Sequence, residues 1–189
     1  MRAGRAALGQ DGGMVSEEPG GWIHRGDPFA TPEADRSPVR RLRGRLAAGI
    51  TVWTAYGPRG PVGLTVSSTV VADGEPARLL GLVDDESALW DGLTAGRFAV
   101  AVLAAADRQV ADRFAGLMPA PGGPFREGDW VETGYGPVPV GATWAGCRVD
   151  GTRPYGWALL VEATVEVAEL GASLPPLVHY RGRYRTLSD

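Results

Sequence analysis

The first stretch with a regular apolar interval follows Ser37, where Val39, Leu42 and Leu46 stand three and four residues apart. Behind a serine suited to an N-cap and with Pro38 at the first helical position, that spacing predicts a short amphipathic helix ending near Gly49. From Ile50 the period falls to two. ITVWTA at 50–55 and VGLTVSSTV at 62–70, joined by the turn YGPRGP, predict an antiparallel hairpin. RLLGLVD at 78–84 is apolar on both alternating faces and predicts a central strand. Ser87 suits the cap of a short helix through Leu93, with Gly96 as its stop. A strand at 97–104 and a helix capped by Asp107, carrying Val110 and Phe114 on one face and ended by Gly116, come next. The Pro/Gly-rich run 117–129 predicts a loop, and strands are expected at 143–149, 157–167 and 178–185, linked by DGTRPYG and LGASLPP.

Many strands, mostly joined by tight turns and interrupted by few helices, favour a mainly β fold over a doubly wound parallel sheet. The expected architecture is an antiparallel barrel of Greek-key type, closed or split, with short flanking helices. Residues 1–36 show neither period and are rich in Gly, Ala, Arg, Glu and Pro, so they are expected to form a disordered leader ahead of a domain at 37–189. No internal repeat is visible.

Length and composition narrow the function. A chain of 189 residues with 44% hydrophobic content suits one domain with a substantial core. A net charge of -3 argues against a protein that coats nucleic acid. The RGRYR run at 181–185 is too local to alter that, and Arg40, Arg41, Arg43 and Arg45 read as a solvated helix face rather than a phosphate clamp. Cys147 is the only cysteine, so no intrachain disulfide or thiolate cluster is expected, and two histidines, His24 and His179, leave little material for zinc. With no secretory pattern at the start, the expected setting is the cytoplasm. The longest apolar run, 98–106, falls short of the roughly 20 residues a membrane-crossing helix needs.

The chemistry concentrates at 63–87. Gly63, Thr65, Ser67 and Ser68 put bare backbone and hydroxyls on one strand, a surface suited to a flat anionic ligand such as a phosphate or an isoalloxazine edge. Taken alone, serines and threonines on a strand are ordinary sheet surface, and Asp84 with Ser87 is explained by a turn and a helix cap. His179 between Val178 and Tyr180 reads equally as a buried or interface histidine. Trp53, Trp90, Trp130, Trp144 and Trp157 are expected as core or interface aromatics. The sequence holds no Ser-His-Asp order and no GxxxxGK loop.

From about Ser37 to Leu187 the order of GITVWT, GLTVSS, the D-x-x-S exit at 84–87, GRFAVAVL, DRFAG and HYRGRY resembles the flavin reductase-like, FMN-binding split-barrel family. The resemblance implies an NAD(P)H:flavin oxidoreductase, typically a homodimer, often supplying reduced flavin to a separate monooxygenase. It implies FMN or FAD as the flavin and NADH or NADPH as hydride donor. It further implies flavin contacts from Gly63, Leu64, Thr65, Val66, Ser67 and Ser68, a loop at Asp84 and Ser87 closing on the ribityl-phosphate end, His179 beside the nicotinamide site, and Phe114 near the substrate entrance. Val70, Val71, Ala88 and Leu89 stand where the family commonly carries hydroxyl or basic residues, which implies an exchangeable flavin. Two rivals share the resemblance: a flavin- or haem-binding module without turnover, and a partner subunit that has lost its ligand.

Overall fold

Ser37 caps the first helix as expected: its Oγ accepts the Arg40 N–H at 3.3 Å, and Pro38 opens α1, Pro38–Arg45. This computed structural model describes residues 35–187, so the expected leader, with His24, lies almost wholly outside the described residues. The apolar stripe of α1 is not covered, with Val39, Leu42 and Leu46 74%, 63% and 65% exposed.

After β1 (Ala48–Gly49) come β2 (Thr51–Gly57) and β3 (Gly60–Val66), paired antiparallel from Thr51↔Val66 to Gly57↔Gly60. The turn is therefore only Pro58 and Arg59, tighter than the hexapeptide expected. The strand predicted at 62–70 stops at Val66, and Val70–Ala72 is a separate strand, β4. β5 (Arg78–Val83), α2 (Ala88–Leu93), β6 (Arg97–Val102), a 3-10 turn at Ala105–Asp107 and α3 (Arg108–Phe114) follow close to the predicted positions. After the Pro/Gly loop, β7 (Trp130–Val131) pairs with β8 (Val138–Pro139), a ribbon too short to leave a periodic signal. β9 (Trp144–Tyr155) and β10 (Ala158–Glu169) form a long hairpin whose turn leaves Trp157 fully exposed, outside the core. β11 (Leu177–Tyr180) and β12 (Arg183–Thr186) replace the single strand expected at 178–185. The chain reverses at Arg181 and Gly182, both left-handed with φ of 53° and 78°, the backbone that a tight two-residue hairpin requires.

Seven strands lie in the order β3-β2-β6-β9-β10-β5-β4, every neighbour antiparallel. The two end strands, β3 and β4, are separated in sequence only by Ser67, Ser68 and Thr69. Four peptide steps reach at most about 14 Å, so the sheet must curl until its edges almost meet. No ladder pair joins β3 to β4 among the described residues, which leaves a barrel split along one seam. Trp53 crosses its interior: the ring stacks on Phe98 at 4.8 Å, and a Cβ on Gly81 would come within 2.6 Å of it. Leu89, Val83, Cys147 and Val161 complete this core, each large apolar side chain contributing about 1.5–3 kcal/mol by burial.

β5 is therefore not buried on both faces as predicted. It lies next to an edge strand and alternates, with Leu79, Gly81 and Val83 inside and Leu80 and Leu82 on the outer surface. A second core of Val52, Ala99, Ala101, Phe114 and Leu177 lies outside the barrel wall, under α3 and the small sheet β1-β11-β12. Across the outer wall, Arg78 and Arg148 share Asp150, and Arg97 and Arg148 share Glu166, tying β5, β6, β9 and β10 in register.

Candidate functional site at the barrel seam

The strand singled out by the sequence sends its side chains two ways. Leu64 and Val66 turn into the barrel core. Gly63 and Thr65 face outward beneath α3: the Thr65 hydroxyl donates to Ala111 O at 2.8 Å, and a Cβ on Gly63 would lie 2.7 Å from the Phe114 ring. The bareness of Gly63 thus accommodates an aromatic side chain of the protein itself. Ser67 and Ser68, in contrast, lie in the seam.

Ser68 is committed to the wall on one side. Its Oγ accepts the Leu82 N–H at 2.9 Å and donates to Leu82 O at 3.0 Å, extending by a side chain the ladder that β4 and β5 make at Val70↔Leu80. The half-buried Ser67 makes no hydrogen bond to another described residue, so its hydroxyl remains available at the seam. Thr69 closes the other side. The Thr51 hydroxyl donates to Val66 O at 2.9 Å and lies 2.8 Å from the Thr69 hydroxyl. With the single Thr51 proton committed, Thr69 must donate to Thr51, while it accepts the Trp53 indole N–H at 3.0 Å. This chain of four groups pins the seam, and the sequence reading missed it. The only trace was a threonine beside the serine pair.

Two residues beyond Leu82, roughly 7 Å along the strand, stands Asp84. Its Oδ1 accepts the Glu86 N–H at 3.0 Å, and its carbonyl accepts both the N–H and the hydroxyl of Ser87, at 3.1 and 2.6 Å. Ser87 occupies the N-cap position of α2, but its hydroxyl turns back to Asp84 instead of the helix. Ser67, Ser68, Asp84 and Ser87 therefore gather at one end of β5. Toward the opposite end of β5, Val70, Ala72, Leu79 and Leu80, rimmed by Arg78 and Glu162, line a shallow, open depression.

His179 lies in the small sheet. It pairs with Ala48 of β1 and Tyr184 of β12, its ring 6.2 Å from that tyrosine. Ala48 precedes Thr51 by three residues, which places the histidine's ladder partner roughly 10 Å from the Thr51–Thr69 pair. Burial, then the charges of Arg43 and Arg36, hold His179 below the ordinary 6.5, so the imidazole is neutral at pH 7. Burial and Asp112 push the neighbouring Tyr184 up to about 12.

Phe114 meets Phe125 and Trp130 edge-on, with centroids 4.8 and 5.5 Å away, and the buried Arg113 pairs with Glu127. Those contacts fasten the Pro/Gly loop over α3. Cys147 faces the barrel interior, where burial raises its thiol to about 12 and keeps it from acting as a nucleophile. Among the described residues no three His, Cys, Asp or Glu side chains gather in a way that would hold a metal, and no helix is long and apolar enough to cross a membrane.

Residues 43–188 match the family described as flavin reductase like domain. The NADH-dependent FMN reductase RutF of Ancylobacter novellus is 30% identical over 83% of this chain and 88% of its own. The reductase subunit HsaB of a flavin-dependent monooxygenase of Mycobacterium tuberculosis is 31% identical over 80% of this chain and 82% of its own. Among solved structures, the Streptomyces globisporus NADH:FAD oxidoreductase SgcE6, in complex with NAD and FAD fragments, superposes with a TM-score of 0.73 at 27% identity, covering 83% of this chain and 95% of the other.

Proposed function

The chain belongs to the flavin reductase-like family, and we propose that it is an NAD(P)H:flavin oxidoreductase that hands reduced FMN or FAD to a separate monooxygenase, working as a homodimer in the cytoplasm. Its relatives are named as NADH-dependent FMN reductases and as the reductase subunit of a flavin-dependent monooxygenase. When bound, the nicotinamide supplies a hydride and the flavin ring accepts it, so the protein's task is to hold two planar groups in contact and keep water out.

The observation that supports this reading is the Ser67–Thr69 segment crossing the barrel seam, bonded through Ser68 to Leu82 of the strand that leads into the Asp84–Ser87 turn. These residues fit a flavin. The apolar outer wall at Val70 and Leu80 suits the flat ring, and the available Ser67 hydroxyl with nearby backbone suits its polar edge. Thr65, engaged with Ala111, and Gly63, under Phe114, support the site through α3. Val70 and Val71 offer no hydroxyl to a phosphate, which accords with a flavin that enters and leaves as a substrate. The neutral imidazole of His179 suits a partner for the nicotinamide carboxamide, orienting it without charge.

Mixing the protein with NADH or NADPH and free FMN, FAD or riboflavin, while following the nicotinamide absorbance, tests the assignment. Flavin-dependent oxidation is expected. No oxidation with any pair overturns it, and a yellow protein without turnover would instead identify a binding module.

A further inference from the structure

An amphipathic surface helix ordinarily turns its apolar stripe to the core, and α1 does the reverse. It meets the body through the turn between β11 and β12: the Arg181 N–H donates to Gly44 O at 2.7 Å, and a Cβ on Gly44 would lie 3.8 Å from Arg181 Cα. Gly44 is half-buried there, and every other residue of α1 is exposed. At about 100° per residue, Val39, Leu42 and Leu46 share a stripe about 60° wide, and its middle lies about 165° round the helix from Gly44. The stripe therefore points away from the protein, which is why all three side chains stay exposed.

Arginines border that stripe on both sides. Arg43 lies about 40° beyond one edge and Arg45 about 60° beyond the other, with Arg40 and Arg41 behind them. The docked hairpin brings its own arginines, so residues 36–45 and 181–185 together hold eight of the chain's 19 basic residues and no carboxylate. Arg40, Arg41, Arg43, Arg45, Arg183 and Arg185 are exposed, and no ion pair among the described residues involves them. Removing the +8 of the two runs from the net charge of -3 leaves -11 on the rest of the protein. An anionic partner is thus drawn to this face and repelled elsewhere.

The occupant must answer both the stripe and the charge. A second α1 fails, because two arginine-bordered stripes repel each other. A nucleic acid backbone would meet the arginines but offers nothing apolar to the stripe. A groove on a protein is read in a fixed register, and α1 carries no aromatic anchor and no uncharged polar side chain to set one. A lipid surface needs no register. Its headgroups supply negative charge, its acyl boundary receives aliphatic side chains, and arginine stems can lie alongside the stripe while their guanidinium groups reach back to phosphate.

We infer that α1 seats this protein on an anionic lipid surface, with Val39, Leu42 and Leu46 entering it and the arginines of α1 and of the β11–β12 turn on its headgroups. The contact is peripheral, since no described helix is long and apolar enough to cross a membrane. One short helix with three aliphatic side chains makes it reversible. It does not depend on the reductase reading. The helix arginines, a solvated face by sequence, acquire this role because the hairpin holds Gly44 and turns the stripe outward.

Co-sedimentation of the full chain with vesicles of phosphatidylcholine, alone or with about a third phosphatidylglycerol, tests the inference. The anionic vesicles should bind at least about tenfold more tightly, and the difference should shrink as salt rises. Arg40→Gln/Arg45→Gln removes one cation from each side of the stripe and should weaken binding roughly twenty-fivefold, about fivefold per charge. Leu42→Ser should weaken it about tenfold with the charge and the urea midpoint unchanged. Equal binding to both vesicles, or a Leu42→Ser variant that binds as tightly as the unaltered chain, overturns the inference. No binding to either vesicle overturns it in favour of a groove on a partner protein. A lower sedimented mass for Leu42→Ser in the absence of lipid would give the stripe to a second copy instead, and a DNA duplex bound more tightly than the anionic vesicles would give the arginines to nucleic acid.

Discussion

At the scale of single residues, the two serines that look equivalent in the sequence have separate tasks. Ser67→Ala should leave the urea midpoint unchanged and weaken flavin binding by about 0.5–1.5 kcal/mol, a few-fold rise in dissociation constant by fluorescence titration. Ser68→Ala should lower stability by a similar amount, because Leu82 loses its partner for both backbone groups. Thr69→Val should cost more, about 1–3 kcal/mol in urea denaturation, since it leaves the Trp53 indole N–H without an acceptor in a closed site. His179 adds a pH dependence. Its folded pKa is depressed, so as pH falls through 6.5 the unfolded chain takes up a proton that the folded chain still refuses. The associated stability is fully present above 6.5 and is lost toward the folded value. Urea midpoints at about pH 7 and about pH 5.5 should differ less in His179→Gln than in the unaltered protein. The hydroxyls and the histidine were visible as chemistry, but their partners were not, because Ala111, Leu82 and Arg43 lie far from them along the chain.

Elements were legible where a local rule decides them. The Ser37 cap and Pro38 define α1, and the period of two defines β2, β3 and β6. The failures share a cause. β5 reads as buried on both faces because Leu80 and Leu82 are apolar, yet which face meets solvent depends on where the strand sits in the sheet. The break after Val66 follows from the chain stepping from one sheet edge to the other, and composition alone does not announce it. The β11–β12 turn is carried by an arginine in a left-handed conformation, a residue type that signals no turn. The packing of α3 on β3 makes its own prediction. Gly63→Ala inserts a methyl group 2.7 Å from the Phe114 ring and 3.0 Å from the Trp53 carbonyl, and should destabilise by about 1–3 kcal/mol, with a changed near-ultraviolet circular dichroism from the Phe114–Trp130 cluster.

For the whole molecule, the exposed apolar side chains of the outer wall at Val70, Val71, Leu80 and Leu82 accord with a second copy covering part of this surface. Sedimentation should give twice the 19.9 kDa chain mass, and Val71→Glu on the edge strand should lower the mass to that of one chain and weaken flavin binding with it. A single-chain mass for the unaltered protein would reject the homodimer. Alternation and turn residues suffice to fix an antiparallel β fold, the places of its longer strands along the chain and the segment where hydroxyls gather, since each of these follows from residues a few positions apart. Closure of the barrel, the seam at Ser67–Thr69, the turn of Thr65 away from it and the union of two arginine runs depend on contacts between residues tens to more than a hundred positions apart. Loop closure and packing of the whole chain decide those contacts, and no local pattern encodes them.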